Sequence, residues 1–201
     1  MVGNTYNWSP AIALDDSAIS NPTSNPSNTT VYTLTETITA TGCQRSNSVT
    51  VNVNQLPVVT FSGLASSYCI DAPPATLNGS PFGGTFSGTA ITGNTYEPLA
   101  AGIGGPYAIN YTYTDGNSCT KDTSIATIVN DLPVITFTGF SGPYCASVIT
   151  PILLTGNPPG GTFSGPGMSG NDFYPNIANV GNNIIIYYYT DGNSCSNSYT
   201  D

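Results

Sequence analysis

The heptapeptide YTDGNSC stands at residues 113–119 and returns unchanged at residues 189–195, 76 positions later. Further segments recur at nearly the same distance: LPVVTF (56–61) and LPVITF (132–137), GGTFSG (83–88 and 160–165), GNTYEP (93–98) and GNDFYP (170–175). A fixed period with a one-residue insertion that is later undone is typical of tandem domains. The heptapeptide is therefore predicted to belong to a repeated building unit rather than to a catalytic motif.

The repeat divides the chain into three predicted domains. Residues 1–55 are predicted to form a partial domain that lacks its N-terminal strands, residues 56–131 a complete repeat, and residues 132–201 a repeat whose last strand is cut short. These incomplete outer units indicate a segment of a longer array. The junctions NQLP (54–57) and NDLP (130–133) are short and contain proline. Such junctions favour an elongated array over a compact globule.

The strand pattern is clearest in YAINYTYTDGN (107–117). Ile109, Tyr111 and Tyr113 alternate there with small or polar residues, and this period of two predicts a half-buried strand. Asp-Gly-Asn is then expected to supply the positive φ angles of a hairpin turn. Short strands separated by Gly- and Pro-rich turns predict an all-β chain of tandem immunoglobulin-like β-sandwich domains.

The five cysteines follow the same period. Cys69 and Cys119 are 50 positions apart, and so are Cys145 and Cys195. We therefore predict one disulfide inside each repeat, Cys69–Cys119 and Cys145–Cys195; the alternative is four free buried thiols. Cys43 precedes its LP segment by the same 13 positions as Cys119 does, so its equivalent partner would lie 50 positions upstream, before residue 1. Cys43 is therefore predicted to be unpaired; the alternative, a reactive thiol, is disfavoured because no histidine or nearby cation would lower its pKa. Disulfides indicate an oxidising compartment outside the cytoplasm.

Charge excludes several classes of partner. The chain has one lysine, one arginine and no histidine, with a formal net charge of −9. Binding to nucleic acid requires clustered cations, so no nucleic-acid partner is expected, and anionic lipid is disfavoured for the same reason. No apolar run is long enough to cross a bilayer, so no membrane span is predicted.

The sequence also argues against an enzyme. General acid–base catalysis needs histidine or carboxylates with displaced pKa values, whereas histidine is absent and the acids are scattered. Each TDGN segment offers a single carboxylate, Asp115 or Asp191, and a calcium loop needs several. We therefore expect no catalytic residue, no metal site and no cofactor.

Two sets of segments resemble known families of domains. The run from TYNWSP (5–10) through NPTSNPSNTTVYTLTETITATGC (21–43) resembles a PKD-type domain. The pattern LPVVTF, YC, GGTFSG, GNTYEP and INYTYTDGNSC resembles the Ig-like repeats of very large secreted surface proteins of Bacteroidetes. This resemblance implies export by the type IX system, an extracellular or cell-surface location, and a part in gliding motility or adhesion.

One modification site is suggested by a further resemblance. Asp16-Ser17-Ala18 resembles the Asp-Ser/Thr-small pattern at which Bacteroidetes attach O-glycans to exported proteins, so Ser17 is a candidate O-glycosylation site. The alternative is an ordinary polar loop. Trp8, on a short predicted strand, is interpreted as a core aromatic residue, with a sugar-stacking platform as the alternative.

Two functional hypotheses remain. In the first, the chain is a structural segment of a secreted surface fibre or stalk, part of a large adhesin, whose partners are neighbouring repeats of the same array. In the second, the repeats are binding modules for surface glycans or other cell-surface proteins. Most tyrosines lie in strand patterns rather than in loops, and this favours the structural hypothesis.

Overall fold

The structure, a computed structural model, describes residues 3–201 and is almost entirely β. The first predicted domain thus begins two residues before the described part. The described chain forms two compact units: one contains the residues up to Val59 together with Thr112–Lys121, and the other contains Thr60–Tyr111 and Asp122–Asp201. The domain boundaries expected at residues 55/56 and 131/132 stay predictions.

The first unit contains a three-stranded antiparallel sheet in the order β1-β2-β3. Its strands are β1 (Asn4–Ser9), β2 (Thr30–Ile38) and β3 (Gln44–Val51). Side chains tie the long β1–β2 connection to this sheet. The buried Tyr32 hydroxyl donates to the carbonyl of Ile12 at 2.9 Å, and the Trp8 indole N–H donates to the carbonyl of Ile19 at 3.0 Å.

The second repeat is built from short strands around one long hairpin. Its elements are β4 (Thr60–Ser62), β5 (Ser67–Cys69), β6 (Ala75–Thr76), β7 (Asn78–Ser80), β8 (Thr85–Gly88), β9 (Ile91–Thr92), β10 (Thr95–Tyr96), α1 (Pro98–Ala101), β11 (Gly104–Thr114) and β12 (Thr120–Asn130). They form sheets in the orders β5-β12-β11-β8, β6-β10-β9 and β4-β7.

The third repeat has the same plan with one strand fewer. Its strands are β13 (Thr136–Thr138), β14 (Ile152–Leu153), β15 (Thr155–Asn157), β16 (Thr162–Ser164), β17 (Met168–Ser169), β18 (Asp172–Phe173), β19 (Ile186–Thr190) and β20 (Ser196–Thr200). The sheet orders are β16-β19-β20, β14-β18-β17 and β13-β15. Within residues 3–201, this repeat has no counterpart of β5.

A buried tyrosine fixes the centre of the second repeat. Tyr111 lies on β11, and its ring covers Gly79, where a Cβ atom would come within 2.1 Å of the ring. Its hydroxyl donates to the carbonyl of Pro81 and accepts the N–H of Gly84 at 2.8 Å. Tyr111 thus holds the connection between β7 and β8 against β11.

Tyr187 does the same in the third repeat. Its ring covers Gly156, where a Cβ would lie 2.0 Å away, and its hydroxyl donates to the carbonyl of Pro158 at 2.6 Å. The N–H of Gly161 donates to the same hydroxyl at 2.8 Å. The alternating pattern of the sequence predicted that Tyr111 faces inward. The structure shows that Tyr111 and Tyr187 both pack in the core and hydrogen-bond to a turn.

A pair of tyrosine variants tests this role. Tyr111→Phe is expected to lower the free energy of unfolding by about 1–3 kcal/mol, because it leaves the Gly84 N–H and the Pro81 carbonyl without their partner. Tyr96→Phe is the matched control: the Tyr96 hydroxyl is buried without a hydrogen-bond partner among residues 3–201, and Phe173 stands at the equivalent place in the third repeat. Urea unfolding should show little loss for the control. Equal losses for both variants would contradict the proposed role.

Candidate functional site

The repeated heptapeptide forms the turn that presents a cysteine. In the β19–β20 hairpin, the Asp191 carboxylate accepts the N–H groups of Asn193 at 2.8 Å and Cys195 at 2.9 Å. The Asp191 N–H also donates to the Cys195 carbonyl at 2.9 Å. The Asp191 side chain is therefore hydrogen-bonded within its own turn, and these hydrogen bonds set the position of Cys195.

The β11–β12 hairpin has the same geometry. The Asp115 carboxylate accepts the N–H groups of Asn117 at 2.8 Å and Cys119 at 2.9 Å. The positive φ angles expected in Asp-Gly-Asn fall instead on Ser118, at 67°, and on Ser194, at 66°. The reason is that the loop extends through the cysteine, so its left-handed residue comes after the Gly-Asn pair rather than within it.

One disulfide joins the two repeats. Cys69, at the end of β5, is bonded to Cys195, with an S–S distance of 2.04 Å and a Cα–Cα distance of 5.5 Å across 126 positions of sequence. Cys195 is completely buried. The structure thus contradicts the predicted bridges Cys69–Cys119 and Cys145–Cys195, because both of the bonded cysteines were assigned other partners.

Strand length explains the correction. Cys69 lies in parallel register with Asn130, the last residue of β12, whereas Cys119 immediately precedes the first residue of that strand. Eleven strand residues span roughly 36 Å at about 3.3 Å per residue. A disulfide requires Cα atoms within about 7 Å, so β12 separates Cys119 from the register position of Cys69.

The other three cysteines are free in the described chain. Cys43 and Cys145 are exposed, and Cys119 is half-buried with its Sγ atom 4.0 Å from the Asn54 carbonyl oxygen. Cys119 and Cys195 occupy the same place in their hairpins, and Cys69 and Cys145 the same place in their repeats. The third repeat therefore carries an unbonded equivalent of the bonded Cys69.

The candidate glycosylation site lies in the β1–β2 connection of the first unit. Ser17 is half-buried, and its carbonyl accepts the backbone N–H of Trp8 at 2.9 Å. Nearby, the Asp15 carboxylate accepts the N–H groups of Asp16 and Thr23, both at 2.8 Å. These backbone hydrogen bonds, that from Thr23 foremost, lower the pKa of Asp15 below its ordinary value. The loop around Ser17 is thus fixed by hydrogen bonds, and modification of Ser17 stays a prediction.

An open groove of about 460 Å³ lies in the second repeat. Leu77, Phe86 and Tyr111 line it, and the Phe82 ring stands at its edge with 97% of its surface exposed. An exposed aromatic side chain beside a groove offers a stacking surface for a ligand. Sequence reasoning missed Phe82, although its position next to the Gly83-Gly84 turn is a signal for a loop.

Two further features concern metal-ligating side chains and long apolar helices. Among residues 3–201, no group of three or more His, Cys, Asp or Glu side chains is placed to hold a metal ion. Within the same range, no helix is both long and apolar enough to cross a bilayer.

No family model matches the chain, and no curated protein matches it. The function is therefore inferred from the chain's own geometry. Its most specific feature is the Cys69–Cys195 bridge, because a buried covalent link depends on the relative placement of two distant segments.

Removal of the bridge gives a direct test. Cys195→Ser is expected to destabilise the oxidised protein by up to about 5 kcal/mol, because a loop of 126 positions is no longer closed in the unfolded chain. Cys119→Ser, at the equivalent free cysteine, should change the free energy of unfolding by no more than about 0.5 kcal/mol. Non-reducing peptide mapping should recover Cys69 joined to Cys195. Recovery of a Cys69–Cys119 peptide would overturn the assignment.

The Ser17 prediction is tested by intact-mass analysis of the protein isolated from its native source. A glycan mass on the peptide that contains Ser17 is expected, and Ser17→Ala should abolish it. An unmodified Ser17 peptide from native protein would remove the hypothesis.

Proposed function

We propose that this chain is a structural segment of a secreted bacterial cell-surface fibre or stalk, as part of a large adhesin, built of tandem immunoglobulin-like β-sandwich domains. The observation that carries the proposal is the Cys69–Cys195 bridge, which bonds one repeat to the next. The repeated tyrosine–turn contacts support it, since they recur with the same partners in both repeats.

A bridge between repeats suits a load-bearing role. The repeats are already joined through the backbone at residues 130–133, and the disulfide adds a second covalent connection between them. Pulling the chain from its ends cannot draw Cys69 and Cys195 apart while the bridge is intact. A fibre under tension would benefit from such a second covalent connection, because the two repeats then stay joined even if one of them unfolds.

The chemistry of the bridge supports a location outside the cytoplasm. Structural disulfides persist in oxidising compartments, and the Cys195 side of this one is completely buried, away from soluble reductants. Charged residues make up only 6% of the chain, and hydroxyl and amide side chains are abundant, so the chain is polar with few ionic groups, which suits a fibre between the cell and its surroundings.

A binding module for glycans or proteins is the second candidate, and one observation favours it. Phe82 is 97% exposed beside the groove of the second repeat, where Asn78 and Asn94 supply amide groups. An aromatic ring with neighbouring amides is a common setting for sugar binding. Pro159 occupies the corresponding place in the third repeat, so this feature is not shared by the repeats.

Single-molecule stretching tests the structural proposal. The oxidised chain, pulled from its ends, should stop short of full extension by roughly 440 Å, since 126 positions at about 3.5 Å each stay inside the closed loop. The Cys69→Ser/Cys195→Ser variant should reach the full length, and Cys119→Ser should behave like the parent chain. Equal final lengths with and without the bridge would contradict a load-bearing link.

Location and binding separate the two candidates. Antibodies against this chain should label thread-like structures on intact cells of the source organism, and label confined to the cytoplasm would refute a surface fibre. A glycan array provides the other measurement. Saturable glycan binding that Phe82→Ala abolishes, without label on surface threads, would favour the binding module.

A further inference from the structure

The turn between β7 and β8 presents an aromatic ring to solvent. Phe82 lies in this turn, and 97% of its surface is exposed. In the third repeat, the equivalent turn carries Pro159 at this place, and the GGTFSG segment that follows is unchanged. The turn therefore forms without an aromatic side chain, and the fold does not require the ring of Phe82.

The backbone on either side of Phe82 is held in place. The Tyr111 hydroxyl donates to the carbonyl of Pro81 and accepts the N–H of Gly84 at 2.8 Å. Tyr111 is itself buried, and its ring centre lies 4.6 Å from that of Phe86. The ring of Phe82 is therefore carried by a fixed turn. A site whose backbone is already ordered loses less conformational entropy when a ligand binds.

The groove that begins at this ring has the size of a small-molecule site. Its volume is about 460 Å³, and such sites measure about 300–1,000 Å³. Leu77, Phe86 and Ile91 form its apolar wall. At Gly83 and Gly93, a Cβ atom would meet no atom outside the adjacent residues within 4 Å, so the backbone is open to solvent there. A ligand can thus reach main-chain as well as side-chain groups.

Neutral polar groups line the same groove. Asn78, Thr85 and Asn94 are exposed there. The Asn94 side chain is fixed, because its Nδ2 atom donates to the Leu77 carbonyl at 3.2 Å, and the Leu77 N–H donates to the Asn94 carbonyl at 2.7 Å. Since Nδ2 is the donor in this contact, the Oδ1 atom is the part of the amide that can accept a hydrogen bond from a ligand.

Charge restricts the class of ligand. Among the described residues that line the groove, none is charged. The whole chain has a net charge of −9, with a single lysine and a single arginine. An anionic ligand would meet no cation in the groove and would be repelled by the chain, and a cationic ligand would meet no carboxylate there. The groove therefore favours an uncharged ligand.

We propose that this groove binds a neutral glycan, with one pyranose ring stacked on Phe82 and its hydroxyl groups hydrogen-bonded to Asn78 and Asn94. A pyranose with equatorial hydroxyl groups has an apolar C–H face and a polar edge. The aromatic ring matches the face, and the amides match the edge because an amide both donates and accepts. Glycan binding here adds to the load-bearing role and involves neither Cys69 nor Cys195.

The third repeat supplies the variants for a test. Phe82→Pro gives the second repeat the residue that the third repeat has at this place, so it removes the ring and leaves a turn that the fold accepts. Phe82→Tyr keeps an aromatic ring and is the matched control. Conversely, Pro159→Phe combined with Thr155→Asn gives the third repeat both the ring and the amide of the groove.

Amide NMR titration of the full chain measures both the affinity and the site. The neutral probes are cellohexaose and chitohexaose, and the anionic probe is hexagalacturonate. At least one neutral probe should shift the amides of residues 82–85 and 93–94 saturably. Phe82→Pro should weaken this binding at least about tenfold, and Phe82→Tyr should keep it within about threefold. Unchanged amide signals outside the groove show that each variant is folded.

The double variant Pro159→Phe/Thr155→Asn should bind two molecules of the same probe, one in each repeat. A single bound molecule would contradict the role assigned to the ring and the amide.

Three other results would overturn the proposal. Without a saturable shift from either neutral probe, the groove is not a site for a glycan of this kind. Shifts that persist in the Phe82→Pro chain would place the sugar elsewhere. Equal or tighter binding of hexagalacturonate would show that charge does not select the ligand. None of these results bears on the Cys69–Cys195 bridge, which the stretching measurement tests separately.

Discussion

A buried tyrosine hydroxyl, hydrogen-bonded on both sides to one glycine-rich turn, is the contact on which each repeat depends. In the third repeat, Tyr187 stacks on Gly156 and ties the turn at residues 158–161 to β19. The strands of the third repeat have only two to five residues and supply a small core, so a side chain that both packs in this core and closes a turn contributes much to the stability of the repeat. Because Tyr187 fixes β19, it also fixes the β19–β20 hairpin.

The β19–β20 hairpin carries one half of the Cys69–Cys195 disulfide. Asp191 holds the N–H of Cys195, and the rigid turn presents the sulfur to Cys69 at the end of β5. The place of Cys69 is itself set by the register of β5 with the last residues of β12. The covalent link between repeats is thus the result of a tyrosine contact in one repeat and strand pairing in the other.

The sequence predicted the all-β class, the inward position of Tyr111 and the turn at Asp115, because these follow from local alternation and turn chemistry. It did not predict the pairing of the cysteines. A separation of 126 positions is one period plus one spacing, so bonding within a repeat and bonding between repeats leave the same periodic pattern. The length of β12 decides between them, and strand length is a property of the folded sheet.

The scarcity of charged residues, 6% of the chain, determines how strongly dissolved salt acts on this fold. In the described part of the chain, the ion pair between Arg45 and Glu36 spans 3.1 Å, with the arginine side chain 84% exposed, and such exposed pairs contribute at most about 1 kcal/mol. No histidine gains or loses a proton near neutrality. Apolar packing and hydrogen bonds between neutral groups present no net charge for added salt to screen, so ionic strength affects them little. The contacts that hold the repeats are therefore ones that salt weakens little, so the fold depends on ionic strength less than one held by ion pairs would.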